Sequence, residues 1–75
     1  MKEYVFKHDS PARLFAVVLA LYSDNVSVYC NRSNVVTCRE TNFAERAFRF
    51  VTNLEMSEVH SALDRYGSVI DPSTF

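Results

Sequence analysis

His8-Asp9-Ser10 are the residue types of a hydrolytic triad: a base, a carboxylate and a hydroxyl nucleophile. Relay chemistry needs the base held between nucleophile and carboxylate, with the three drawn from segments that folding brings together. Consecutive residues do not provide that geometry. The end of a strand followed by a helix cap explains all three. His60, the other of the two histidines, lies at the boundary of an apolar helical stripe, where a surface imidazole is expected. Zinc chemistry would need His8, His60 and a cysteine to converge, and the chain has no paired C-x-x-C or H-x-x-x-H spacing. With one glycine, Gly67, it also lacks a glycine-rich phosphate cradle. The expectation is a protein that is not an enzyme, with no catalytic residue, cofactor or metal.

The two cysteines sit in a predicted hairpin, Val26 to Asn31 and Val35 to Thr41. A three-residue loop, Arg32-Ser33-Asn34, pairs Asn31 with Val35, Cys30 with Val36 and Val28 with Cys38. Val26, Val28, Cys30, Val36 and Cys38 then share one face, and Ser27, Tyr29, Asn31, Thr37 and Arg39 the other. A slip of one residue mixes the two sets, so the pattern selects the register. Asn34 is the candidate for the left-handed position of such a loop. In this register the cysteines are diagonal, about 7–8 Å apart, and a disulfide wants its Cα atoms closer. Both read as free, buried thiols. Two cysteines are too few for a disulfide scaffold and point to a reducing, cytoplasmic setting. Met1-Lys2-Glu3 leads into a strand-like segment and not a signal peptide. The sequons at Asn25 and Asn31 are therefore read as coincidental.

Glu3 to His8 alternates as a strand does. Ser10 then supplies a helix-capping hydroxyl and Pro11 the first helical position. The helix from Ala12 to Tyr22 (ARLFAVVLALY) carries one charge, Arg13. Its large apolar residues spread over roughly 200° of helix surface, against the 100° or so that a half-buried helix needs. Ala12, Ala16 and Ala20 make a low-relief side against which another helix or chain can lie close. From Asn42 to Asn53 a helix is favoured over a strand: Asn42 caps, Glu45 follows three residues on, and Phe43, Ala47, Phe50, Val51 and Leu54 form the stripe. Phe48 is the residue this phase explains worst. A last helix is capped by Ser57, striped by Val59, Ala62, Leu63 and Tyr66, and stopped by Gly67. Val69 and Ile70 suggest a short edge strand before Asp71-Pro72.

The expected fold is α+β in two layers: a small antiparallel sheet with two or three helices on one face, in the order β-α-β-β-α-α. A C-terminal edge strand would bring it near a ferredoxin-like arrangement. Residues 1–75 are expected to form one domain and 71–75 a flexible tail. Leu14, Val18, Leu21, Phe6 and Phe50 are expected to be the most buried side chains.

The net charge is −1, and the eight basic residues are scattered with no run of three. That weakens any reading built on phosphate or anionic lipid. The apolar stretch is about half of what a bilayer span needs. Ser57 to Ile70 (SEVHSALDRYGSVI) resembles the recognition helix and following strand of winged-helix DNA-binding domains, over fourteen residues. The resemblance implies that the Asn42 helix is the positioning helix. Glu58, His60, Ser61 and Asp64 would then face phosphate, and only Arg65 is basic in that segment.

The functional expectation is a small protein-binding module, an accessory regulator or inhibitor of a larger protein or complex, of a kind that phages encode. The alternative is a nucleic-acid-binding regulator with a helix-turn-helix-like C-terminal half. A homodimer is also expected, since so short a chain has a small core of its own. Two surfaces are candidates for the partner. One is the outer sheet face, with Tyr29 flanked by Lys7, Thr37 and Arg39, an aromatic beside arginine as in many binding hot spots. The other is the polar side of the Asn42 helix, with Glu45, Arg46 and Arg49.

Overall fold

The computed structural model describes residues 1–22, 29–32 and 34–66. Its elements run β1 (Lys2–Val5), α1 (Asp9–Tyr22), β2 (Tyr29–Arg32), β3 (Val35–Cys38), α2 (Asn42–Thr52) and α3 (Met56–Tyr66). The three strands form one antiparallel sheet in the order β1-β3-β2. The fold is α+β, in the expected element order. The proposed strand at Val69-Ile70, the Gly67 stop and the 71–75 tail lie outside the described residues.

The predicted register holds through Tyr29↔Thr37 and Cys30↔Val36, then breaks. Arg32, not Asn31, faces Val35, and the extra residue makes a bulge. Asn34 is not left-handed, since no described residue has positive φ. Its role is in its amide. Asn34 Nδ2 donates to the Phe6 carbonyl at 3.0 Å, and Phe6 N donates to the Asn34 carbonyl at 2.9 Å. That pair of bonds extends the β1–β3 ladder past Val5, so the strand is pinned there. His8, expected within the strand, lies in a bend.

Helix α1 begins at Asp9, ahead of the expected Ser10 cap, and Pro11 sits in its first turn, where the missing N–H leaves no bond unmade. It is the hub of the fold, lying against β2 and β3 on one side and against α2 and α3 on another. The width of its apolar arc is therefore used within the chain. Phe15 and Leu19 are completely buried, and Leu14 and Val17 nearly so. Ala12 and Ala16 face inward at 1% exposure, while Ala20 is exposed. The small residues admit close approach, but by this chain's own elements.

Helix α2 is a helix as favoured, in a different phase. Ala44, Ala47 and Val51 are buried, Phe43, Phe48 and Leu54 are half-buried, and Phe50 is 64% exposed. The inward face is turned by roughly 60° from the predicted stripe. The cause is Phe48. Its ring lies 5.1 Å from both Tyr4 and Phe6 and 6.1 Å from Phe15. Tyr4 and Phe6 in turn stack tilted on Phe15 at 5.1 and 5.4 Å. Four rings, from β1 and the residue after it, α1 and α2, thus meet in one cluster, in the tilted and edge geometries that aromatic quadrupoles favour. The cap also differs: the Thr41 hydroxyl accepts from Ala44 N at 3.0 Å, one residue ahead of Asn42.

The α2 helix stops without glycine. Asn53 stays right-handed (φ −89°, ψ −8°), and the Arg49 carbonyl accepts from Asn53 N, Asn53 Nδ2 and Thr52 Oγ1. Helix α3 starts at Met56, with the Glu58 carboxylate accepting from Glu55 N at 3.2 Å, half of a capping box whose cap, Glu55, precedes the predicted Ser57 cap. Val59 is completely buried, with Ala62 and Leu63 packed beside it. The predicted core is thus corrected: Leu14 and Phe6 belong to it, Val18 and Leu21 are half-buried, and Phe50 is outside. Cys38 is a free, buried thiol, and burial pushes its pKa up. The Cys30, Val26 and Val28 side chains lie outside the described part.

Candidate functional site

Helix α1, the end of α2 and α3 leave a groove of about 570 Å³ between them. Three residues of α1 at four-residue spacing, Leu14, Val18 and Tyr22, line one wall. That spacing stacks side chains along one helix ridge. Leu14 is buried at the bottom, Val18 is half-buried, and Tyr22 is 60% exposed at the mouth. Phe50 forms the lip on α2, with Leu54 below it in the connection to α3. The opposite wall is one face of α3: Ser57, Glu58, Ser61, Ala62 and Arg65. Small side chains fill the middle of that wall and opposite charges stand towards its two ends.

The groove is apolar contact area edged by charge, which suits a peptide or helix. Phe50 and Tyr22, 64% and 60% exposed, set two largely open aromatic rings at this one groove.

The residues singled out from the sequence fall elsewhere. Tyr29 is in register with Thr37, as expected, but its side chain lies outside the described part. Thr37 is half-buried, paired on its other side with Glu3. Lys7 follows the Phe6–Asn34 end of the sheet, whereas Arg39 follows β3 at the Lys2 end. The structure therefore does not gather Lys7 and Arg39 around one point. On α2, Arg46 and Arg49 are exposed.

Glu45 is not part of an open polar face. It accepts from Lys2 Nζ at 2.5 Å and from the Tyr4 hydroxyl at 3.0 Å, and so ties β1 to α2. Lys2 Nζ also stands 5.1 Å from the Tyr4 ring centre. The hydrogen bonds from Lys2 and then Tyr4 hold the Glu45 carboxyl below its ordinary range. The Lys2 ammonium is raised chiefly by its bond to Glu45, and Tyr4 is raised first by burial and then by that same carboxylate. A depressed carboxyl stabilises the fold above its unfolded pKa of about 4.3, and the contribution is lost as pH falls through the folded value. The raised Lys2 and Tyr4 stabilise it below about pH 10 and lose that contribution as pH rises through their folded values. A carbon-detected titration should therefore place the Glu45 midpoint below about 4.3, and Lys2→Met should move it upward. A midpoint at or above that value in the parent protein would remove this tie.

The groove was missed because Phe50 was assigned to the core. The signal was present: Phe43, Phe48 and Phe50 span about 160° of helix surface, wider than one stripe holds, so one of them had to face out. Among the described residues no cluster of histidine, cysteine and carboxylates could hold a metal, and no helix is long and apolar enough to cross a membrane. No protein-family model matches this chain, and comparison with curated proteins and with solved structures gives no match.

Proposed function

We propose that this protein acts by docking on another protein, as a non-enzymatic accessory regulator or inhibitor of a larger protein or complex. The groove between α1, α2 and α3 is the docking surface in this reading. The observation that carries it is Phe50, a large apolar side chain left 64% exposed at the lip of an apolar groove. Burying a phenylalanine fully contributes about 1.5–3 kcal/mol, so an exposed one beside a groove is binding energy not yet used. The occupant is an amphipathic helical segment of the partner, with apolar anchors at i, i+3 or i+4 and i+7 entering between Phe50, Tyr22 and Leu14. Rim charges at Glu58 and Arg65 fix its direction. A reducing, cytoplasmic setting accords with the free thiol of Cys38.

A photo-crosslinking amino acid placed at Phe50, in the cells that make the protein, tests this. The expected result is one discrete adduct, mapped to a segment of a larger protein with an apolar helical face. The same substitution at Val5, exposed on the sheet, should give none. Equal labelling from both positions, an adduct with nucleic acid, or an adduct with a second copy alone would overturn the reading.

A further inference from the structure

We infer that, when no such partner is bound, a second copy of this chain fills the groove, with α3 lying antiparallel against α3 of the second copy. The inference rests on the reading of the groove as a site for a helix, and it names the occupant from the charges on the wall.

Glu58, Ser61, Ala62 and Arg65 all line the groove. Their spacing of three, one and three is that of a helix seam. A twofold axis between Ser61 and Ala62 sets Glu58 of each copy opposite Arg65 of the other. The charge pattern is self-complementary in the antiparallel sense and repulsive in the parallel sense. Two ion pairs of this kind lie about 10 Å apart along the helix, at 1.5 Å per residue. Between them only a serine and an alanine separate the helices, small enough for the axes to approach to about 8 Å. Exposed Phe50 and Tyr22 line the same groove, so a helix of the other copy seated there covers part of both rings. An isologous contact asks for this property, one patch that complements itself. The Glu58 carboxylate bonds the Glu55 amide through Oε1, which leaves its second oxygen for Arg65 of the second copy.

Sedimentation equilibrium at high micromolar concentration should give the dimer mass. Phe50→Glu, an exposed position whose change spares the core, should weaken the dimer at least about tenfold. Arg65→Glu sets two carboxylates face to face at both symmetry-related places and should weaken it by at least as much. Glu58→Lys also loses the cap of α3, so the informative comparison is between that variant and Glu58→Lys/Arg65→Glu, which lack the cap equally. The double variant should recover to within about threefold of the parent dimer. Circular dichroism confirms that each variant is folded. A monomer mass for the parent protein, unchanged dimerisation in Phe50→Glu, or a double variant no tighter than Glu58→Lys alone would each overturn the inference. A monomer that still gives the Phe50 adduct with a larger protein discards the second copy and leaves the docking reading. A dimer whose only adduct is a second copy does the reverse.

Discussion

Phe15→Ala should cost about 3–5 kcal/mol, the range for removing a fully buried aromatic ring. A small domain has about 5–15 kcal/mol in total, so the variant is expected to lose a large share of its stability. The size of the effect follows from position. Phe15 has no exposed surface, and its ring touches Tyr4, Phe6 and Phe48, which come from β1 and α2. The loss therefore leaves a cavity where three elements meet, and those elements have little freedom to close it. Urea denaturation followed by tyrosine fluorescence measures the change. A loss below about 1 kcal/mol, the level of a solvent-exposed change, would show that the ring cluster is not the centre of the core.

The second large effect concerns the phase of α1. Leu19→Ala is expected to cost about 2–5 kcal/mol. Leu21→Ala should cost less than half as much, since deleted methylenes count only for the surface that was kept from water. Leu19 is completely buried and Leu21 only half so. Two leucines two positions apart lie on different sides of a helix, so their difference reports its rotation directly. Equal losses at both positions would mean that α1 is rotated from the orientation described.

Much of this architecture was legible because it rests on local chemistry. Strand alternation, the apolar Ala12–Tyr22 stretch and the paired valine-cysteine pattern of the hairpin each specify an element. The register followed from keeping Val36 and Cys38 on one face. What misled were choices made between elements. Phe48 and Phe50 compete for the inward side of α2, and on that helix alone Phe50 fits better beside Phe43 and Leu54. Tyr4 and Phe6 decide otherwise, because their rings leave a place only Phe48 reaches. Glu45 carries a similar lesson. By sequence it is one exposed charge on a helix, yet Lys2 and Tyr4 approach it only once β1 has been placed across the sheet. The groove went unseen for the same reason, since it exists only where three helices diverge. Caps shifted by a residue or so, and Asn34 served through its side chain and not its backbone, because several residues in each turn could take either part.

The strand order has a consequence for how the chain is made. β2 and β3 are neighbours in sequence, and α2 and α3 are joined by a short turn, so each pair needs little beyond itself. β1 is different. Its partner is β3, with Lys2 opposite Cys38, and between them run the whole of α1 and β2. A ribosome adding about 5–20 residues per second needs roughly 2–7 s to pass from one to the other. During that time Tyr4 and Phe6 have no core to enter, and the amides of β1 have no ladder. The residues of β1 are thus made well before the strand they pair with, and until Cys38 emerges they are an adhesive edge that any other nascent chain can meet first.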